Sequence, residues 1–263
     1  MLGSVKSKEP WTWTAFGKHP SARDFFMVGS ETPLVNAFSG WIQSGYEDLI
    51  SRHGRCPEFY SYRLWAKGIK KHHVLIGLLK GSSDRIGRCY PLMVAGSGEL
   101  KGWEKEWDLM PFACESLWTR LEYLSSRSWR DVEDLREEIQ GLSPPIPQWA
   151  DLESEREQLK ARRIWEPDIG SPSPELRRMV EKARNMANQE GIFFSLEHGY
   201  FDDHFSRVGF WHQAFRKNGK GTPNAIFVGG VSGIAGMAVF RRPLIAGDFV
   251  RLCVEPGQAA RGF

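Results

Sequence analysis

Ser83-Asp84-Arg85-Ile86-Gly87-Arg88-Cys89-Tyr90-Pro91 lies between two apolar runs, His72 to Leu79 and Pro91 to Ala95. Both runs are too short for a typical helix and are bounded by turn residues, so both read as strands. The segment between them then reads as a hairpin connection. A turn needs glycine and polar residues. Two arginines, an aspartate and an aromatic go beyond that need. A loop with so much fixed charge either ties a structure together or presents a binding surface.

Upstream, Trp11 to Lys18 alternates aromatic with small or polar residues and reads as a strand, followed by a loop from Lys18 to Phe26. Pro33 opens a helical pattern with Leu34, Phe38, Trp41, Ile42, Gly45 and Leu49 on one face, and Gly54 closes it. Phe59 to Trp65 fits a short strand or an aromatic-rich helical turn equally well.

Downstream, Trp103 to Leu124 reads as one helix, with Trp107, Met110, Cys114, Leu117, Trp118 and Leu121 at spacings of three and four. Ser128 is the expected cap of another, striped by Trp129, Val132, Leu135 and Ile139 and ended by Gly141. Ser143-Pro144-Pro145-Ile146-Pro147 is a stiff connector. Asp151 to Arg163 follows as a charged, weakly salt-bridged surface helix, and Pro167, Gly170, Pro172 and Pro174 make a second connector.

Pro174 to Gln189 is a helix with Leu176, Met179, Val180 and Ala183 inward. Short apolar runs follow at Gly191 to Leu196, Val208 to His212, Ala225 to Val228 and Gly236 to Phe240, and read as strands. Lys217-Asn218-Gly219 is a hairpin signal, and Ala246 to Cys253 is a last short helix. The strands are often apolar at consecutive positions, which suggests a sheet covered on both faces. The expectation is an α/β protein with a mixed, largely antiparallel sheet. It divides into an N-terminal module at 1–142, a connector with a charged helix at 143–173, and a C-terminal helix and strands at 174–263 packed on the same sheet.

Composition narrows the function. Thirty-five basic residues against 32 acidic ones give a net charge of only +3, with no basic stripe for nucleic acid. The residues before Trp11 have no apolar core for a secretory signal, and no apolar stretch could span a bilayer, so a cytoplasmic protein is expected. Cys56, Cys89, Cys114 and Cys253 have no C-x-x-C spacing and read as reduced thiols. Eleven tryptophans read as core in preference to a ligand groove.

The motifs of nucleophilic and phosphate chemistry are absent: there is no G-x-S-x-G, Walker loop or G-x-G-x-x-G. Gly229, Gly230, Gly233 and Gly236 read as a flexible connection. His198, Asp202, Asp203, His204 and His212 cluster without a metal-site spacing. His19, Asp24, Asp84 and the two arginines could converge if the first strand lies near the hairpin. A structural ion-pair network is then preferred over an anion-site enzyme using Lys18, Asp24, Arg85 and Arg88. Arg85 or Arg88 paired with Asp24 would pin the two loops.

Phe16-Gly17-Lys18-His19-Pro20, then Asp24-Phe25, resembles the G-K-x-P-x-x-G-D-F signature of the type VI secretion-associated TagF family, also called ImpM or SciT-like. Ser83 to Leu92 resembles that family's S-x-D-R-x-G-R-x-[FY]-P-L signature, shortened by one position at its start. The resemblance spans about the first 140 residues. It marks Gly17, Lys18, Pro20, Asp24, Phe25, Ser83, Asp84, Arg85, Gly87, Arg88, Tyr90 and Pro91 as structural or partner-binding. Arg23 stands where the family has glycine, which implies a relaxed loop or a changed contact. The resemblance implies a three-layer α/β sandwich with no enzymatic activity and no cofactor or metal. It further implies a cytosolic accessory protein that binds a type VI secretion component, such as a forkhead-associated scaffold protein, and regulates the apparatus negatively after translation. Asp84, Arg85 and Arg88 are expected chiefly to lock the edge of the sandwich.

Overall fold

The computed structural model describes residues 11–54, 59–161, 174–196, 201 and 203–254. Eight strands form one sheet: β1 (Thr12–Gly17), β2 (Phe26–Gly29), β3 (Tyr60–Lys67), β4 (His73–Lys80), β5 (Leu92–Glu99), β6 (Gly191–Ser195), β7 (Ala225–Val231) and β8 (Ile234–Phe240). Their order is β2-β1-β5-β4-β3-β7-β8-β6. Each ladder is antiparallel, so the parallel component of the expected mixed sheet is absent among the described residues. β3 joins β7, so the C-terminal strands extend the N-terminal sheet.

The helices are α1 (Pro33–His53), α2 (Met110–Ala113), α3 (Glu115–Ser126), α4 (Val132–Gln140), α5 (Trp149–Ala161), α6 (Pro174–Met186), α7 (His204–Asn218) and α8 (Ala246–Cys253). The sheet is apolar on both faces because its side chains alternate between two cores. Along β4, Val74, Ile76 and Leu78 enter one core with residues of α3, α4, α6 and α7. Leu75 and Leu79 enter the other with residues of α1 and α8. That alternation explains why β4 reads as a continuous apolar run. The tryptophans are largely core: Trp13, Trp41, Trp65, Trp103, Trp107, Trp118, Trp129 and Trp211 are all buried.

α1 begins and ends as its sequence indicates. Thr32 accepts the Val35 amide at its start, and Gly54 closes it in the left-handed region. Phe59 to Trp65 resolves into β3, and Ala246 to Cys253 forms α8 as expected.

Several expectations are corrected. Val208 to His212 is not a strand but part of α7. The Asp203 side chain caps the Ser206 amide, and the helix is buried around most of its girth, so its apolar residues are consecutive. Lys217-Asn218-Gly219 is the end of that helix rather than a hairpin.

The single helix expected over Trp103 to Leu124 is broken. A 3-10 turn at Trp107–Leu109 leads into α2, where Pro111 sits in the first turn, and Cys114 leaves helical geometry before α3. Asp131, not Ser128, caps α4, accepting from the Glu133 and Asp134 amides. Val180 faces outward on α6, beside the buried Leu176, Met179 and Ala183. Gly229 and Gly230 lie within β7 and Gly236 within β8, so only Ser232 and Gly233 form the turn, both at positive φ.

α5 is more than a solvated segment. Arg156 bonds Glu153 on its own helix and the buried Asp108 at 2.8 Å. Arg216 of α7 reaches the same carboxylate from the other side. Trp149 donates to the Lys101 carbonyl at 2.7 Å. The second connector, apart from Pro174, and the metal candidates His198 and Asp202 lie outside the described residues.

Candidate functional site

The register of β1 on β5 sets Gly17 opposite Leu92. The loop that leaves β1 and the loop that enters β5 therefore meet at one edge of the sheet. Gly17 makes the junction possible. Its φ is 121°, and a Cβ there would lie 1.9 Å from the Pro91 carbonyl oxygen. Lys18 N–H donates to that same oxygen. Pro20 sits inside a turn closed by Ala22 N–H on the His19 carbonyl.

The β4–β5 hairpin extends past its strands through an isolated bridge between Ser83 and Cys89. Asp84 then starts the turn. Its carbonyl accepts from Gly87 N–H, whose φ is 84°. Its side chain accepts from the Ile86 amide at 3.1 Å, the Arg88 amide at 2.9 Å and the Arg88 Nε at 2.7 Å. Lys18 Nζ adds an ion pair at 3.1 Å. The Asp84 side chain is fully buried. Burial alone would raise its pKa. The Arg88 amide, the Lys18 ammonium, the Arg88 guanidinium and the Ile86 amide together overcome that and hold the carboxyl down to about 2.

Arg88 completes the closure. Its guanidinium bonds Asp24 at 3.0 Å and the Arg23 carbonyl at 3.1 Å. Asp24 accepts its neighbour's Phe25 amide and the Arg88 fork, which lower its pKa. The Phe25 ring meets Tyr90 edge-on, and Tyr90 packs on Tyr46, whose hydroxyl donates to the Cys89 carbonyl at 2.8 Å. Lys18, Asp24, Asp84 and Arg88 thus converge as a closed ion-pair network, with Arg88 supplying the expected pin to Asp24.

Two expected members stand apart. Arg85 ties the loops through its amide on the Ala22 carbonyl and its Nη2 on the Ser21 carbonyl, and has no carboxylate partner among the described residues. Lys18 supplies the further ion pair to Asp84. His19 is buried and accepts from the Ser21 amide. Its pKa is lowered by burial and by the charge of Lys80, with a hydrogen bond to the Ser125 backbone opposing.

Arg23 does not adopt the left-handed backbone that would favour glycine, so the loop is relaxed there and the side chain is exposed. The sequence reading missed Ser21, whose hydroxyl accepts the Trp129 amide at 2.8 Å and ties the loop to the α3–α4 connection. It also missed Ile86, which is 73% exposed at the hairpin tip. An isolated branched apolar residue inside a charged turn was the available signal.

Of the basic groups named for an anion site, Lys18 and Arg88 are engaged by Asp84 and Asp24, and Arg85 is not. No cluster of three or more metal-binding side chains occurs among the described residues, and no helix there is long and apolar enough to cross a membrane.

The segment that carries this two-loop motif is similar to type VI secretion system-associated proteins. Residues 14–142 match the family model of the TagF N-terminal domain, type VI secretion system-associated, and the chain is TagF-like. The match takes in both loops and ends where the proline-rich connector begins. No curated protein matches the chain. Among solved structures it is similar in fold to PA0076 from Pseudomonas aeruginosa PAO1, a crystal structure at 2.05 Å. The likeness has a TM-score of 0.52 at 15% identity and covers 92% of this chain and 94% of that one.

Proposed function

We propose that this chain is a non-enzymatic, cytoplasmic regulator of a type VI secretion apparatus. It binds a component of the apparatus, a forkhead-associated scaffold protein being the candidate, and restrains assembly after translation. The observation that carries this reading is the engagement of Asp84. One buried carboxylate gathers two amides, a lysine and an arginine, so the charged motif residues serve to hold a loop in shape. Groups held in this way are poor acids, bases or anion ligands, and a rigid loop is what a binding surface needs.

The test is secretion by cells carrying an active apparatus. Overproducing the full chain should lower export of the tube protein while apparatus transcript levels stay constant, and deleting its gene should raise export. Unchanged export in both would reject the reading.

A further inference from the structure

Resting on that reading, we infer that the outward face of the locked loop pair, Arg23, Phe25, Arg85 and Ile86, is the contact surface. Its partner is an apparatus protein with an acidic rim around an apolar pocket. The buried end of the network, Asp84 with Lys18, faces inward, while Asp24 and Arg88 stay partly exposed and neutralise each other as an ion pair. The other exposed side chains of the loops are a different set. Ile86 is 73% exposed at the tip, and Phe25, on the other loop, is 46% exposed with its ring against Tyr90. Arg23 and Arg85 are exposed, and neither has a carboxylate within ion-pair distance among the described residues.

The loop residues are bonded to one another directly. Arg85 N–H donates to the Ala22 carbonyl, and Arg88 reaches the Arg23 carbonyl, so Arg23 and Arg85 stand on adjoining loops. Lys18, Arg23, Arg85 and Arg88 carry four positive charges against the two of Asp24 and Asp84. The excess lies on Arg23 and Arg85, which have no carboxylate partner among the described residues. An arginine fork matches a carboxylate geometrically, and arginines and aromatics are the side chains most often found to anchor protein contacts. The turn is already closed by Asp84, so the tip loses little freedom when it docks, and its affinity is not lowered by ordering a mobile loop. A projecting apolar side chain between arginines calls for a concave apolar site edged by carboxylates.

The experiment immobilises the full chain and exposes it to lysates of cells with the apparatus and of isogenic cells lacking it. Wild type is compared with Arg23→Glu/Arg85→Glu and with Ile86→Asp, at about 0.1 M and about 0.5 M salt, where screening lengths differ more than twofold. Ile86→Asp removes no side-chain bond and should melt within about 2 °C of wild type, whereas the double variant also loses the Arg85 bond to the Ser21 carbonyl and is compared in its folded fraction. Captured apparatus components are identified by mass spectrometry.

The expected result is at least tenfold lower recovery of one component with each variant, lower recovery with wild type at high salt, and cross-links from the loop to an acidic face of that component. Equal recovery by wild type and both variants would overturn the surface while leaving the regulatory reading standing, as would cross-links to a basic face. Recovery of no apparatus component by wild type would overturn the regulatory reading and the surface together.

Discussion

The Lys18 ammonium sits 3.1 Å from the Asp84 carboxylate, and the aspartate side chain in that pair has no exposed surface. The two residues lie on different loops, joined because β1 and β5 are neighbours in register. A charge buried in this way is tolerable only while its partners are in place.

Asp84→Asn keeps an acceptor oxygen for the turn amides but removes the charge that faces Lys18 and Arg88. The melting temperature at neutral pH should fall by several degrees. The wild-type carboxyl has a pKa of about 2 when folded against 3.8 in the unfolded chain, so its stabilisation is complete above 3.8 and is lost as pH falls towards 2. The gap between wild type and variant should therefore close over that interval. A thermal melt series in acid checks both points.

Gly17→Ala places a methyl group against the Pro91 carbonyl at a φ that side chains rarely adopt. β1 cannot end as it does without shifting β5 or opening the loop pair. Loss of soluble protein, or a destabilisation of more than about 2 kcal/mol by urea unfolding, is expected.

His212 is buried on α7, and its Nδ1 lies 2.9 Å from the Val208 carbonyl. Burial pushes its pKa down to about 4, against weaker opposing effects of the Val208 carbonyl and the Asp108 charge. The unfolded chain takes up a proton near 6.5 and the folded one does not, so stability is full above 6.5 and declines as pH falls towards 4. The decline amounts to roughly 3 kcal/mol. His212→Phe should lessen the slope of melting temperature against pH over that range, the lowered pKa of His19 keeping part of it, and a melt series from about pH 7 to about pH 5 reads it out.

Asp108 binds Arg156 of α5 and Arg216 of α7 at once, from a buried position. Asp108→Ala removes the carboxylate that joins the two helices but leaves Arg156 on Glu153 and Arg216 on Glu106, and should cost about 1–3 kcal/mol. Arg156→Ala frees α5 from Asp108 while Trp149 still holds its first turn to the Lys101 carbonyl. Its amide hydrogen exchange should rise along Trp149–Ala161 while exchange in β4 and β5 is unchanged.

The sequence was most legible where one physical signal acted alone. The apolar blocks around Ser83 to Pro91 became β4 and β5, and Pro33 and Gly54 marked α1, because caps and buried strands are local. Val208 to His212 misled because a helix buried on most sides loses the periodic polar positions that distinguish it from a strand. β2 escaped notice because four residues at a sheet edge carry too little pattern. At the site, the pairing of the loops could be guessed from charge. That Lys18, and not Arg85, faces Asp84 could not, since it depends on the register that sets Gly17 against Leu92.

The central claim is that the motif is a closed lock that holds a rigid tip. Amide hydrogen exchange at Ile86 and Arg88, followed by NMR, tests it most directly, because both amides donate to the Asp84 carboxylate. The account predicts marked protection of both in wild type and its loss in Asp84→Ala, which removes the acceptor of both amides, with β4 and β5 still protected. Exchange of both amides at the rate of an unstructured loop in wild type would contradict it.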